Sequence, residues 1–271
     1  MQQKKICFIG AGNMSRAIIA GLVKSGYDAT LITATNPSAS KLDALAADFG
    51  INTSHDNLAS AESAEVIVLA VKPQLMQGVC ESLRGAAKGK LLITIAAGIP
   101  ARRYQDYFAE PVKLIRTMPN TPMQLGLGMT GLYASADIDA EDKAFAGSLM
   151  QACGDIVWVE DEAGIDKVIA LAGSSPAYFF LFIEAMIEAG VKLGLPEADA
   201  RTLAQQAAIG AAAMVKENPQ LPLATLRANV TSKGGTTAEA IATFEAGGLR
   251  TLVDDAMNNC IKRAQEMAGS F

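Results

Sequence analysis

Ile6-Cys7-Phe8-Ile9-Gly10-Ala11-Gly12-Asn13-Met14-Ser15 is a short apolar run that breaks into a glycine turn. The residues that follow, Arg16-Ala17-Ile18-Ile19-Ala20-Gly21-Leu22-Val23, carry apolar side chains at helical spacing. Strand, glycine turn and helix in that order open a dinucleotide-binding unit. Gly10 allows the tight turn, and Gly12 allows close approach of a pyrophosphate whose charge then sits on the helix N-terminus. The third glycine of G-x-G-x-x-G is missing, because Ser15 holds its place and the small Ala17 comes two residues later.

A second strand is expected over Ala29 to Ala34. A site built for NAD carries an Asp or Glu near the end of that strand, to bond the adenosine ribose hydroxyls. This chain has Thr35-Asn36-Pro37-Ser38 instead, with Lys41 nearby. With no carboxylate to repel a ribose phosphate and neutral donors in Asn36 and Ser38, the residues favour NADP, although no Arg is placed to clamp the phosphate. Asn36-Pro37-Ser38 also reads as an ordinary turn opening a helix, and both readings can hold together.

Further apolar runs follow at Glu65 to Val71, closed by Lys72-Pro73, at Lys90 to Ala97, closed by Gly98, and at Val112 to Met118. Near-continuous apolar strands separated by helix-length segments predict a parallel sheet covered on both faces. Ligands bind such sheets at the carboxyl ends of the strands, where Gly10 to Met14, Val71 to Pro73 and Ala96 to Gly98 fall. After Trp158-Val159-Glu160-Asp161 the strands stop and Ala- and Met-rich helical patterns take over. The expected fold is therefore α/β. A Rossmann-type, doubly wound parallel sheet occupies residues 1–161, and an all-α dimerisation and substrate domain occupies residues 162–271. The segment Pro176 to Leu193 is apolar around most of its circumference, interrupted by Glu184 and Glu188 one turn apart. A second helix, Glu197 to Lys216, carries Ala204, Ala207, Ala208, Ala211 and Ala212, whose small side chains permit close approach. So much apolar helical surface predicts burial against a second subunit, with a self-contained bundle as the alternative.

Near the far end, Thr231-Ser232-Lys233-Gly234-Gly235-Thr236-Thr237 runs into the helical pattern Ala238 to Ala246. Backbone N–H groups at a helix start lack intrahelical partners and carry the positive end of the dipole, so a small carboxylate or phosphate can bind there without Lys or Arg. Thr236 with Glu239 also reads as a capping box, which is the plainer explanation.

Half of the 271 residues are apolar, ample for a core in each domain. A net charge of −5 leaves no basic footprint for nucleic acid. Cys7, Cys80, Cys153 and Cys260 are scattered, matching neither a zinc site nor a disulfide framework and suiting a reducing cytoplasm; no metal is expected. Lys4-Lys5 before apolar residues superficially resembles a signal peptide, but the run breaks at Gly10. No membrane span is expected, because Glu184 and Glu188 interrupt the best candidate. The single histidine, His55, lies in a polar stretch and is assigned to a surface loop with no catalytic role.

Gly10-Ala11-Gly12-Asn13-Met14, Ala70-Val71-Lys72-Pro73, Ile95-Ala96-Ala97-Gly98, Arg116-Thr117-Met118-Pro119-Asn120-Thr121-Pro122, Gly173-Ser174-Ser175-Pro176-Ala177-Tyr178 and Gly234-Gly235-Thr236-Thr237 occur in that order. Together they resemble the pyrroline-5-carboxylate reductases, enzymes of the last step of proline biosynthesis. The resemblance runs from about residue 6 to residue 267, and departs from the family where Lys233 stands in a position usually held by Pro. It implies reduction of a small cyclic imine to L-proline with NADPH, or NADH as the alternative coenzyme. It also implies a homodimer interlocked by the C-terminal helices, often within a decamer. Carried over residue by residue, Gly235, Thr236 and Thr237 take the substrate, with the Thr237 hydroxyl on the ring nitrogen as the catalytic contact, and Glu162 lies on the substrate side. The cofactor segments become Ile9, Gly10, Ala11, Gly12, Asn13 and Met14, then Asn36 and Ser38, then Val71, Lys72 and Pro73, then Ala96, Ala97 and Gly98. Asn57 matches less securely, and Asn229 contacts the cofactor or the active-site wall. Glu162 and Asn229 are equally readable as structural.

Two other classes stay open. A β-hydroxyacid dehydrogenase needs a Lys general acid on the first helix of its second domain, usually with an Asn one turn on. Here Lys167 is at the wrong spacing from Gly164, and Leu171 stands where the Asn belongs. A non-enzymatic nucleotide-binding protein of the same fold is the other class.

Overall fold

The structure, a computed structural model, describes residues 2–269. It opens with β1 (Ile6–Ile9), α1 (Asn13–Lys24), β2 (Ile32–Thr35), α2 (Ala39–Phe49), β3 (Asn52–Ser54), α3 (Asn57–Ser63), β4 (Val66–Leu69) and α4 (Pro73–Ser82). Then come β5 (Leu91–Thr94), α5 (Ala101–Phe108), β6 (Lys113–Met118), β7 (Gly128–Ala134), α6 (Ala140–Gln151), β8 (Gly154–Trp158) and α7 (Gly164–Val168). A turn of π-helix at Ile169–Gly173 leads to α8 (Ser175–Lys192), α9 (Glu197–Glu217), α10 (Leu223–Asn229), α11 (Thr236–Ala246) and α12 (Leu249–Ala268).

The strands form one sheet of order β3-β2-β1-β4-β5-β6-β7-β8. Pairing is parallel except between β6 and β7. Every side chain of β1, β4 and β5 is buried, as strands covered on both faces require. Successive side chains point to opposite faces, so Ile6 and Phe8 join one core with Ile18, Ile19 and Leu22 of α1, while Cys7 and Ile9 join another with Met76, Cys80, Tyr104 and Phe108.

The observed sheet corrects the expected one in three places. Ala29–Leu31 is a 3₁₀ turn rather than strand, because the Asp28 carboxylate accepts the Thr30 N–H at 2.9 Å and holds the chain in a turn until Ile32. The sheet is not wholly parallel, since β7 returns antiparallel to β6. Three strands, β3, β7 and β8, lie where no strand was expected.

Packing divides the chain into residues up to Ser174 together with those from Asn259 onward, and a second unit, Ser175–Asn258. The compositional change at Asp161 precedes this division, because α7 and the π turn stay with the sheet: Ile165 and Ile169 are buried with Ala264. In the second unit α8 and α9 lie close, and a Cβ on Gly190 would stand 3.2 Å from that of Ala200. Of the α9 alanines named above, only Ala204 is buried. Phe179, Phe180 and Leu181 are each about two-thirds exposed.

Glu184 and Glu188 interrupt the most apolar stretch as expected, but by length and composition alone one helix among the described residues could cross a membrane. The helical stretch Gly164–Lys192 reaches a mean hydropathy of 1.6 over its most apolar window.

Candidate functional site

The dinucleotide turn forms where β1 is paired with β2 on one side and β4 on the other, so the chain order reverses across it. Gly10 has φ +112°, and a Cβ there would lie 2.6 Å from the Ala70 carbonyl oxygen, so both its conformation and its neighbour require glycine. Gly12 has φ −83° and is the N-cap of α1. A Cβ on it would meet nothing within 4 Å, so this glycine leaves open space above the helix start. The N–H groups of Asn13 and Met14 have no partner among the described residues. Bare donors, the positive end of a helix and an open approach are what a dinucleotide pyrophosphate requires, so these residues fit the implied cofactor. Ser15 explains the missing third glycine: it is fully buried, and its hydroxyl donates to the Gly10 carbonyl at 2.6 Å, pinning the turn from inside.

On the adenosine side β2 ends in buried Thr35, with no carboxylate following. Asn36 Oδ1 accepts the Ser38 N–H at 2.9 Å, and Ser38 is the N-cap of α2, so the turn-and-helix-start reading describes the local geometry. The Ser38 hydroxyl lies 3.1 Å from that of Ser40, and Lys41 is exposed. His55 is exposed, with Nδ1 at 2.8 Å from the Asn36 carbonyl oxygen. Asn57 is the first residue of α3, whose cap is Asp56.

Val71, Lys72 and Pro73 follow β4; Lys72 is exposed at the N-cap of α4, with Pro73 at the first helical position. Ala96, Ala97 and Gly98 follow β5, with Ala96 buried and Gly98 at φ +81°. Glu162 belongs to the same compact unit. Its Oε1 accepts from the Ala101 N–H at 2.6 Å and from Arg116 Nη1 at 2.6 Å. Arg116 itself is buried, and nothing in the sequence reading gave it a role. Asp166, one helical turn beyond Glu162, has its carboxyl pushed above the ordinary range by burial and by the Glu162 charge, against the opposing pull of Arg116.

In the second unit the N-cap of α11 is Gly235, not Thr236, and no side chain caps it. The capping box suggested by Thr236 and Glu239 is therefore not formed. Gly234 has φ +70°, and the Gly235 N–H bonds the Ser232 carbonyl at 3.0 Å. The N–H groups of Thr236 and Thr237 have no partner among the described residues, and both side chains are exposed. Lys233 is exposed in the same loop, and Asn229 is the exposed last residue of α10.

A protein of Vibrio alginolyticus named pyrroline-5-carboxylate reductase is 54% identical over 272 residues, covering 100% of both chains. This chain belongs to the pyrroline-5-carboxylate reductase family. A family model for pyrroline-5-carboxylate reductase dimerisation matches residues 162–267, and one described as NADP oxidoreductase, coenzyme F420-dependent, matches residues 5–98. The solved structure of a pyrroline-5-carboxylate reductase from Coxiella burnetii is 40% identical and superimposes with a TM-score of 0.94 over 98% of this chain and 99% of that one. That of the Plasmodium falciparum pyrroline carboxylate reductase, with NADP bound, is 28% identical, with a TM-score of 0.87 over 99% of each chain. Membership in the pyrroline-5-carboxylate reductase family displaces the β-hydroxyacid alternative, and Leu171, where that class would need an Asn, lies exposed in the π turn.

Proposed function

We propose that this chain reduces 1-pyrroline-5-carboxylate to L-proline with NADPH, NADH serving as the weaker coenzyme, in the last step of proline biosynthesis. The observation that carries the reading in a member of this family is the bare N-terminus of α11. Two of its N–H groups have no partner among the described residues and no side chain caps it, so it suits a small carboxylate.

The cofactor, when bound, supplies a hydride to the imine carbon. Every other requirement is positional. Gly235, Thr236 and Thr237 receive the substrate carboxylate on backbone N–H groups. The Thr237 hydroxyl bonds the ring nitrogen and fixes which ring face is open to attack. The imine nitrogen takes its proton from solution, which makes the adjacent carbon electrophilic without a strong protein acid. No histidine is needed, and His55 is spent on the Asn36 carbonyl. Ile9 to Met14 hold the pyrophosphate, Asn36 and Ser38 face the adenosine, and Asn57 at the start of α3 is a further cofactor contact. Val71 to Pro73, Ala96 to Gly98 and Asn229 complete the cofactor contacts. By family resemblance Glu162 belongs to the substrate side. The helices from residue 162 onward pair two copies, dimers assemble into a decamer, and the enzyme works in the cytoplasm, where its free cysteines stay reduced.

Initial rates of NADPH and NADH oxidation with pyrroline-5-carboxylate, beside a panel of β-hydroxy and β-keto acids, test this directly. Imine-dependent turnover, faster with NADPH, is the expected result. Silence with the imine and activity on an acid would overturn the proposal.

A further inference from the structure

Arg116 is buried in β6 and stands in register between Thr94, at the end of β5, and Tyr133 of β7. A guanidinium cannot be deprotonated at such a position, so its charge needs a partner that is itself held in place. That partner is Glu162, at 2.6 Å. Glu162 Oε1 also accepts from the N–H of Ala101, the first residue of α5. This N–H is one of the groups a helix start leaves without an intrahelical partner, and the N-cap, Pro100, offers no side-chain oxygen. One carboxylate oxygen thus joins a buried cation to a helix N-terminus, with the dipole and the ion pair acting in the same direction.

The chain between the end of β5 and this anchored N–H is short, and it contains Ala96, Ala97 and Gly98. Its other end is fixed as well, because the Thr94 hydroxyl accepts the Ala96 N–H at 3.3 Å and the Thr94 carbonyl accepts the Thr117 hydroxyl at 3.0 Å. The turn is therefore tied at one end through Thr94 and Thr117, and at the other through Glu162 and Arg116.

We propose that Arg116 is a positioning residue of the nucleotide site, acting through Glu162 on the first turn of α5 and so fixing the Ala96–Gly98 turn. This rests on the reading above that Ala96 to Gly98 contact the cofactor. Arg116 is buried and paired with Glu162, so its role is assigned to positioning rather than to direct contact. The raised carboxyl of Asp166 fits the arrangement, since the single guanidinium favours Glu162 and leaves Asp166 dominated by burial.

The test uses full-length wild type, Arg116→Met, Arg116→Lys, Glu162→Gln and the Arg116→Met/Glu162→Gln double variant. Two readouts do not depend on turnover: amide exchange of residues 96–104 in the nucleotide-free protein, and NADPH affinity by fluorescence titration. Arg116→Met should speed exchange in that segment alone and weaken NADPH about 10-fold, raising KM for NADPH more than it lowers kcat. Arg116→Lys should rescue part of the affinity. The double variant should be no worse than the more damaged single one, because both act on one clamp. Wild-type exchange and wild-type NADPH affinity in folded Arg116→Met would overturn the proposal, and additive losses in the double variant would do the same. If Arg116→Met does not fold, Arg116→Lys and Glu162→Gln decide it: a smaller shift in the same direction supports the clamp, and no shift removes it. Failure of the wild type to turn over the imine would sink the proposed function instead, while the exchange arm still judges the clamp.

Discussion

Thr237 shows what a single side chain can contribute when catalysis is mostly positioning. It is exposed at the start of α11 and its hydroxyl caps nothing, so folding does not depend on it. Thr237→Ala should therefore leave the melting temperature nearly unchanged and lower kcat/KM about 5- to 150-fold, the loss of one hydrogen bond of ~1–3 kcal/mol. Steady-state kinetics at wild-type level would remove the assignment. Asp166 presents the opposite case, a charge the fold makes unfavourable. Burial is the largest effect on its carboxyl and the Glu162 charge adds to it, so the folded chain holds that proton at higher pH than the unfolded chain, whose ordinary value is 3.8. Between those two values the folded state binds more protons, so stability falls as pH rises through the window, and the cost persists at neutral pH. Asp166→Asn should raise the melting temperature at pH 7, with the advantage shrinking to nothing as pH approaches the unfolded value. A lower melting temperature at pH 7 would mean that attraction to Arg116 outweighs burial.

The β1–α1 element separates two glycines that look alike in sequence. Gly10 is held at φ +112° against the Ala70 carbonyl, so Gly10→Ala should cost ~1–3 kcal/mol of stability before any ligand is added. Gly12 has an ordinary φ and open space, so Gly12→Ala carries no backbone strain and should cost less, ~0.5–1 kcal/mol, because Ala is a poorer N-cap than Gly. Its methyl group would nevertheless stand over the bare N–H groups of α1 and weaken NADPH binding. Thermal melts beside NADPH titrations check the pair, and equal stability losses in both variants would contradict the distinction. This element was legible in the sequence because its signals are local: a fully buried apolar run, a turn only glycine can make, and helical spacing directly after it. The α8 and α9 spans were legible for the same reason, and their observed bounds, Ser175–Lys192 and Glu197–Glu217, fall within a residue of those expected. By contrast, β7 carries Gly128 and Gly131, where Met123 and Val168 crowd the backbone, so its reason for extension lies in distant neighbours. β3 is polar, and most of β8 is exposed although it carries the apolar Ile156-Val157-Trp158, so neither reads as a buried core strand. The site divides the same way. The glycine turns and the Gly234–Thr237 loop are contiguous and readable, whereas the Arg116–Glu162 tie joins residues 46 apart, brought together only by the tertiary fold.

At the scale of the whole molecule, the feature to be explained is apolar surface left uncovered. In the second unit α8, α10 and α11 bury no residue completely, and Phe179, Phe180, Leu181 and Leu252 are each about two-thirds exposed. A folded monomer would leave this surface in water and forgo the ~25 cal/mol per Å² of apolar area that a covering partner would contribute. A bilayer could in principle cover a helix as apolar as Gly164–Lys192. However, Glu184 and Glu188 lie one turn apart on it and would have to enter hydrocarbon unpaired, whereas a facing protein subunit can leave them at a wet rim. The match to a dimerisation family over residues 162–267 points to the same partner, a second copy of this chain. If folding and pairing are one equilibrium, the melting temperature must rise with protein concentration. Phe180→Asp should weaken assembly and lower the melting temperature at low concentration, while leaving the α1 nucleotide turn intact. Sedimentation without detergent across a hundredfold dilution series, with melts at each concentration, decides it: a stable folded monomer at micromolar concentration and a concentration-independent melt would reject obligate pairing.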